Sequence, residues 1–366
     1  MKVSATRENL LGALQSVIGV VERRQTMPVL ANVLLVAAKD RLGITGTDLE
    51  VELVAAAEVS VQQPGEVTVP GRKFLDIVRT LPEKSTVTVA REGEKIVLRA
   101  GRSRFSLSTL PASEFPVIED INSKQVLKLT RAGLRRVIEK THFAMAQQDV
   151  RYYLNGMLLE IQDGRARLVA TDGHRMAVTE LPVSPPEGTN RRIIVPRKTV
   201  IEALRLLADD SSPAKLGIGN DHLTLSAADV VFKSKVIDGS FPDYERVIPR
   251  NQDKVLDVDR LALRDAMGRV AIFANEKYRS VRLQLQSGLL RLSANNTENE
   301  EAEDELEVDY AGAELEIGFN VSYLIDVLNA LRSASVRLHL SDSGSSCLIT
   351  EPAGGVGRYV IMPMRL

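Results

Sequence analysis

The sequence predicts an α+β protein made of three similar domains in tandem, each with two helices packed on antiparallel sheets. A first observation is a repeated stretch in which the end of a strand runs into an amphipathic helix. It occurs at 69–82 and 195–207, and in a weaker form at 317–328. A second observation is a polar residue that recurs every 124 positions, as Asp48, Asp172 and Asn296. A period of this length fits a compact domain rather than the unit of a solenoid.

The individual elements follow from capping and alternation signals. Each third begins with a helix preceded by a polar residue suited to cap it: Thr6, Thr130 and Asp259. The repeated stretch supplies the second helix, for which Thr199 and Glu202 have the spacing of a capping box. Alternating runs between the helices predict short strands. We place the domains at 1–122, 126–250 and 254–366, joined by polar linkers.

Composition is that of a globular protein, with 44% hydrophobic and 26% charged residues. No apolar run approaches the length of a membrane span, and the start lacks the apolar core of a signal peptide. We therefore expect a cytoplasmic protein. Cys347 is the only cysteine, which excludes an intrachain disulfide and a cysteine zinc site, and we expect it to be a buried thiol.

Charge is nearly balanced overall but unevenly distributed along the chain. The net charge of −1 divides into 0 for residues 1–122, +5 for 123–250 and −6 for 251–366. Arg72 and Lys73 recur as Arg197 and Lys198 at the start of the repeated helix. A neutral total is unlike a DNA-binding domain of high pI, yet it allows a basic surface on one side and an acidic surface elsewhere.

The sequence contains no familiar catalytic signature. It lacks a phosphate-binding loop, a dinucleotide-binding glycine motif, a His-Glu-x-x-His pair and a Gly-x-Ser-x-Gly elbow. The stretch 171–175 contains a hydroxyl, a carboxylate and a histidine, but Asp-Gly favours a tight turn. The acidic run 298–309 lacks the spacing of a calcium loop and favours a solvated or partner-facing surface. We predict no catalytic residue, metal or cofactor; a metal-dependent hydrolase using Asp172, His174 and the acidic run is an alternative.

Six stretches together carry a resemblance to a known family. They are 45–50, 102–111, 148–156, 170–175, 317–323 and 360–366. They resemble the bacterial sliding clamps, the beta subunits of DNA polymerase III, over nearly the whole chain. The resemblance implies a non-catalytic processivity factor in which two protomers pair head to tail into a ring of six domains, with helices lining the hole. An alternative is a scaffold that binds peptides without enclosing DNA.

The resemblance also implies residues for three surfaces. Residues that match DNA contacts are Arg24, Arg72, Gln148, Tyr152, Tyr153, Arg197 and Lys198. Residues that match a cleft for partner peptides are Leu154, Thr171, Gly173, His174, Arg175, Met176, Pro242, Arg246, Val247, Asn320, Tyr323, Val360, Met362, Pro363, Met364, Arg365 and Leu366. Residues that match the dimer interface are Lys73, Arg102, Arg104, Phe105, Leu107, Ile272, Phe273, Glu298, Glu300, Glu301 and Glu303. The implied partners are duplex DNA of any sequence, a second copy of the chain, the clamp loader, and DNA polymerases and repair proteins; no membrane is implied.

Overall fold

A computed structural model describes residues 1–21, 27–118, 125–184, 189–352 and 354–365. Arg24 and Leu366, which the resemblance places at the DNA and in the cleft, lie outside these residues. Within the described ranges, no helix is long and apolar enough to cross a membrane.

The described residues form six α-helices and 25 β-strands. Helices α1 to α6 are Arg7–Val17, Gly71–Thr80, Arg131–Glu139, Arg197–Leu206, Arg260–Val270 and Val321–Ala330. In the first third, strands β1 to β9 are Lys2–Thr6, Asn32–Ala38, Arg41–Thr47, Val51–Glu58, Ser60–Gln63, Gly65–Pro70, Thr86–Glu92, Lys95–Ala100 and Ser103–Ser108. In the second third, β10 to β17 are Gln125–Thr130, Gly156–Gln162, Arg165–Thr171, Arg175–Pro182, Arg191–Pro196, Pro213–Ile218, His222–Ala227 and Val230–Lys235. In the last third, β18 to β25 are Lys254–Asp259, Ser280–Gln286, Leu289–Asn295, Glu301–Glu307, Leu315–Asn320, Ser335–Leu340, Cys347–Thr350 and Arg358–Ile361.

The three thirds share one order of elements: a strand, a helix, a three-stranded meander, a strand, the second helix and three further strands. The first third contains one additional strand, β5. In each third the first strand pairs antiparallel with the strand that follows the second helix, as β1 with β7, β10 with β15 and β18 with β23. The prediction of three similar α+β domains is therefore confirmed.

The strands form four sheets. The smaller two have the orders β5-β1-β7-β8-β9 and β21-β20-β19-β22. The larger two have the orders β10-β15-β16-β17-β4-β3-β2-β6 and β14-β11-β12-β13-β25-β24-β23-β18. Each larger sheet thus combines strands of two successive thirds. We call the pairing of β4 with β17 the first junction, and that of β13 with β25 the second junction.

Contacts divide the chain into two compact units, and each contains one junction. The first unit comprises Met1–Ala132 and Ile201–Val236, and the second comprises mainly Gly133–Ser184 and Ile237–Leu366. The predicted boundaries at 122, 126, 250 and 254 stay a prediction.

Helix starts confirm the predicted caps Thr6 and Asp259 and contradict the predicted capping box, while the cap at Thr130 stays a prediction. The Thr6 hydroxyl accepts from the Asn9 N–H, and the Asp259 carboxylate accepts from the Ala262 N–H. The capping box at Thr199 is wrong, because α4 begins two residues earlier, directly after the strand ends at Pro196. There the Arg197 N–H donates to the carbonyl of Asn155 at 3.0 Å, so a backbone oxygen satisfies the first donor of the helix.

The recurring polar residue builds the same hairpin turn three times. Asp48 Oδ1 accepts from two N–H groups within the next three residues, and Asp172 Oδ1 does the same. Asn296 Oδ1 accepts from the N–H groups of residues 298 and 300. The residue after each aspartate has a positive φ, 78° at Leu49 and 89° at Gly173. The Asp-Gly pair is therefore a turn, as predicted.

Candidate functional site

An open, largely apolar pocket of about 210 Å³ lies at the second junction. Its floor is formed by Met176 of β13 and Val360 of β25, which are directly paired across the junction and are 3% and 1% exposed. Leu154 and Pro242 form part of its walls, and Met362 stands at the rim, 46% exposed. Buried apolar walls with a few polar groups at the edge are typical of a ligand site.

Ten of the predicted cleft residues line this pocket. They are Leu154, Thr171, Gly173, His174, Arg175, Met176, Pro242, Val247, Val360 and Met362. Three further lining residues were not predicted for the cleft: Arg151, Tyr153 and Tyr244. Their signal in the sequence was proximity, since each lies within three residues of a predicted member. Tyr153, which the resemblance assigned to DNA, contributes to the pocket wall.

Six other predicted cleft residues that the structure describes do not line this pocket. Tyr323 packs under the Arg175 guanidinium, and Asn320 caps α6. Arg246 is highly exposed and pairs with Asp243 at 2.7 Å. Pro363 and Met364 follow the rim residue, and the Met364 N–H donates to the carbonyl of Gly318 at 2.8 Å. Arg365 lines a separate, polar pocket together with Arg282, Glu301 and Glu303.

The loop at 148–155 is fixed by a network centred on Asp149. The Asp149 N–H donates to Asn155 Oδ1 and the Asn155 amide donates back to the Asp149 carbonyl, both at 2.9 Å. Arg151 donates to the Asp149 carboxylate at 2.8 Å, and this hydrogen bond is the main cause that lowers the pKa of Asp149 to about 2. Arg151 also reaches the carbonyl of Asp172 at 3.2 Å, which joins the loop to the turn.

This fixed loop presents two tyrosines with different surroundings. The rings of Tyr152 and Tyr153 pack edge to face with centroids 5.8 Å apart. Tyr152 is 57% exposed, whereas Tyr153 is half-buried against the pocket. Gln148, also predicted to contact DNA, is exposed at the start of the loop with a φ of 56°.

The basic residues predicted to contact DNA stand at the first turn of a second helix. Arg72 is the second residue of α2, and Arg197 and Lys198 open α4. Arg72 donates to the carbonyl of Val21 at 2.8 Å, and Arg197 to that of Met145 at 3.3 Å. Within the described residues neither guanidinium forms an ion pair with a carboxylate.

The structure gives the hydrolase alternative no support. Asp172 Oδ1 accepts the turn N–H groups and Oδ2 accepts from Arg175 at 3.1 Å, so this carboxylate holds the turn. No group of three or more His, Cys, Asp or Glu side chains is placed to hold a metal ion in the part of the chain that is described. Cys347 is 1% exposed, as predicted, and burial raises the pKa of its thiol to about 12.

Comparisons with known proteins agree over the full length. Sequence models of the DNA polymerase III beta subunit match in order: the N-terminal domain at residues 1–119, the central domain at 128–243 and the C-terminal domain at 245–365. The chain belongs to the bacterial beta sliding clamp family. The beta sliding clamps of Pseudomonas putida and Escherichia coli K12 are 51% and 50% identical to it, with 100% of both chains covered.

Solved structures of family members have the same fold. A sliding clamp from Pseudomonas aeruginosa bound to griselimycin has a TM-score of 0.97 at 51% identity, and the matched region covers 100% of both chains. The polymerase III beta subunit of Caulobacter crescentus has a TM-score of 0.93 at 39% identity, again over 100% of both chains. The family consists of non-catalytic processivity factors of DNA replication, and the chain is a clamp rather than an enzyme.

Eight of the eleven residues predicted for the dimer interface lie on or beside two edge strands. β9 is the last strand of the five-stranded sheet and carries Arg104, Phe105 and Leu107, with Arg102 just before it. β21 is the last strand of the four-stranded sheet and carries Glu301 and Glu303, with Glu298 and Glu300 in the preceding turn. Lys73 is exposed on α2, and beyond α5 Ile272 is 76% exposed while Phe273 is half-buried.

Proposed function

We propose that two copies of this chain close head to tail into a ring around duplex DNA, and that the pocket at the second junction holds a peptide of the proteins that the ring tethers. The partners are the clamp loader, DNA polymerases and repair proteins. Because bacterial DNA is replicated in the cytoplasm, we infer that the protein works there.

The head-to-tail assembly is supported by the strand pairing at the two junctions, which follows one pattern and leaves one strand of each kind at a sheet edge. At each junction the last meander strand of one domain pairs with the last strand of the next domain, as β4 with β17 and β13 with β25. The remaining strands of these two kinds are β21 and β9, and both are sheet edges. If this pattern continues, β21 of one copy pairs with β9 of another, which is a heterologous contact.

The same pattern predicts the register of the contact. The last strand of every third contains an aromatic residue, Phe105, Phe232 or Tyr359, and in the second junction Tyr359 faces Ala177. At the equivalent register Phe105 faces Ala302 of the partner subunit, and Arg104 faces Glu303 of the partner subunit. An opposite-charge pair directly across two strands is favourable.

Burial of the aromatic residue supports this register. Phe232 and Tyr359, which occupy completed junctions, are 0% exposed, whereas Phe105 on the open edge is half-buried. An incomplete junction therefore leaves apolar surface in contact with water, and pairing with a second copy would remove that surface.

Contact with DNA is supported by the repeated basic residues at the starts of α2 and α4. Arg72 and Lys198 are each the second residue of their helix, and Arg197 directly precedes Lys198, so basic charge recurs at the start of the second helix in two domains. Basic groups that neutralise phosphates bind any sequence and are screened by salt. Topological enclosure then provides retention, and a weak electrostatic contact permits sliding.

The first prediction concerns ring closure. Arg104→Glu places two carboxylates opposite each other. We therefore expect the Kd of the dimer to rise roughly tenfold, a loss of about 1.4 kcal/mol. Adding Glu303→Arg reverses the charges and should restore most of the affinity. Sedimentation velocity measures the dimer, and retention of the loaded clamp on a nicked circular duplex, compared with its linear form, measures enclosure.

Arg99→Glu is a matched control for this experiment. Arg99 and Arg104 both pair with Glu92 at 3.3 Å and are similarly exposed, but Arg99 lies on β8, away from the open edge. We expect a normal dimer from this control. Equal dissociation of the two single variants, or equal retention of the unmutated clamp on circular and linear DNA, would contradict the proposed ring.

A further inference from the structure

The guanidinium of Arg175, although it lines the cleft, is engaged on all sides by the protein itself. Its Nε donates to Asp172 Oδ2 at 3.1 Å, its Nη1 to the carboxylate of Asp326, and its Nη2 to the carbonyl of Phe143 at 2.8 Å. Its central carbon also lies 4.4 Å from the ring centroid of Tyr323 and 5.5 Å from that of Phe143. The side chain is only 12% exposed.

These contacts balance the charge of Arg175 within the protein. Two carboxylates, Asp172 and Asp326, face one cation, so little positive potential remains for a carboxylate on a bound peptide. A guanidinium whose three nitrogens all donate to fixed acceptors is also held in one orientation. Arg175 is therefore better placed to connect parts of the protein than to bind a charged group of a ligand. We call Arg175 and its contacts with Asp172, Asp326, Phe143 and Tyr323 the brace.

The brace connects two walls of the site. Asp172 belongs to the turn that opens β13, whereas Asp326 and Tyr323 are on α6, three residues apart and therefore on one helix face. Phe143 in turn stacks on Tyr359 with centroids 6.2 Å apart, and Tyr359 is the neighbour of the floor residue Val360. Arg175 thus ties the turn, α6 and the strand beneath the pocket to one another.

Asp326 is the one charged member of this brace that the sequence did not indicate. It does not line the pocket, and its side chain is 41% exposed. The oxygens of Asp172 are shared with the turn backbone, so Asp326 is the carboxylate that fixes Arg175 from the helix side. Fixing a wall before the ligand arrives reduces the ordering cost of binding.

We propose that Asp326 is a positioning residue for peptide binding: it holds Arg175 over Tyr323, so that the turn at 171–175 and α6 form a preshaped wall of the cleft. Arg175 then acts through the position of this wall and not as the receptor of a charged group. The proposal rests on the peptide-binding role of the cleft proposed above.

The test compares Asp326→Asn, Asp326→Glu and the control Glu316→Gln in the full-length clamp. Glu316 on β22 pairs with Arg282 at 2.9 Å, and its 45% exposure is close to that of Asp326, but it does not line the cleft. Griselimycin is the probe, and calorimetry gives its Kd, with Tm and dimer sedimentation measured in parallel. Asp326→Ser provides a second neutral variant.

We expect Asp326→Asn and Asp326→Ser to weaken griselimycin binding roughly five- to tenfold, about 1 to 1.4 kcal/mol. Asp326→Glu should recover most of the affinity, because it keeps the charge. The control should bind normally, and all variants should keep the dimer and a similar Tm, which a purely structural role of Asp326 would not allow.

Unchanged binding in the neutral variants would overturn the proposal. Tighter binding would also overturn it, because a freed guanidinium would then be acting as a receptor for the ligand. If the unmutated clamp did not bind griselimycin at all, the peptide role of the cleft would fail first and this proposal with it.

Discussion

The two junctions have the same backbone register and opposite chemistry. At the first junction the directly paired residues are Glu52 and Lys233, whose charged groups lie 3.2 Å apart. At the second junction the equivalent pair is Met176 and Val360, which form the floor of the pocket. One repeated fold therefore offers two equivalent places for a peptide site, and only the apolar pair is suited to hold an apolar ligand.

The first junction is sealed as well as charged. The Ile118 N–H donates to Glu52 at 2.8 Å, and the Lys233 ammonium donates to the Ile118 carbonyl at 3.0 Å. Ile118 lies three positions after Phe115 of Phe115-Pro116, and the residue at the same distance from Phe241 of Phe241-Pro242 is Tyr244. The Tyr244 hydroxyl instead donates to Glu160 at 2.8 Å. The chain at Ile118 therefore closes over its junction, whereas Tyr244 forms part of a pocket wall. Chemistry at a few paired positions, more than backbone geometry, decides where the clamp can take a ligand.

The largest expected effect comes from breaking the ion pair at the first junction. Lys233→Met leaves the Glu52 carboxylate, 1% exposed, without its cation. An uncompensated buried charge costs about 3 to 5 kcal/mol, so we expect the first unit to unfold at much lower urea concentration. Arg41→Met, which removes the exposed pair of Arg41 with Asp229, should cost less than about 1 kcal/mol.

Cys347 provides a selective readout for that comparison. It is the only cysteine and is buried in the second unit, so its alkylation reports unfolding there, while circular dichroism follows both units. Lys233→Met should leave Cys347 protected at urea concentrations where the first unit has unfolded. Adding Glu52→Met should recover most of the stability; failure to recover would contradict the importance of the uncompensated charge.

A somewhat smaller effect should follow from transferring the ion pair to the second junction. Met176→Glu with Val360→Lys reproduces the first junction at the cleft floor. We expect griselimycin binding to weaken more than a hundredfold, about 2.7 kcal/mol, because the ligand would have to pack on charged groups. Met176→Leu with Val360→Ile keeps the floor apolar, and its Kd for griselimycin should stay within a few-fold of that of the unmutated clamp. Persistent tight binding in the charged variant would mean that the floor does not decide occupancy.

The smallest effect concerns Gly173, the residue that follows the aspartate of the hairpin turn. A Cβ at Gly173 would lie 2.9 Å from Arg151 Nη2, and φ there is 89°. Gly173→Ala should therefore cost about 1 to 2 kcal/mol and shift Arg151 away from the pocket. Leu49→Gly, at φ 78° in the equivalent turn, should change stability by less than about 1 kcal/mol. Urea unfolding measures both, and equal effects would show that the turns are not constrained differently.

The features that could be predicted from the sequence were the repeated domains and the turns defined by a few neighbouring residues. Spacing along the chain located the three copies, and Asp-Gly at residues 172 and 173 located a turn, because neither signal depends on which strands pair. The capping box at Thr199 failed because α4 begins two residues earlier, at Arg197, whose N–H donates to the carbonyl of Asn155 in a distant segment. Ten residues that the resemblance assigned to a cleft line one pocket, whereas Arg365 lines a different pocket.

Long-range pairing explains what was missed. Nothing near Glu52 in the sequence indicates that Lys233 neutralises it, and the alternation of β4 would place an ordinary solvated glutamate there. Likewise, Asp326 reads as a polar position on an amphipathic helix. Burial of charge is decided by partners about 150 to 180 residues away, as the Arg175–Asp326 and Glu52–Lys233 pairs illustrate.

The acidic edge strand also guards against wrong assembly. Four glutamates, at 301, 303, 305 and 307, alternate along β21, so two copies of this strand would repel each other if they tried to pair. An unpaired edge strand is ordinarily a template for aggregation. Here the like charges of two β21 strands oppose their pairing, whereas pairing with β9, which carries Arg104, would bring opposite charges together. Repulsion between two copies of β21 therefore disfavours the growth of aggregates by edge-to-edge strand pairing.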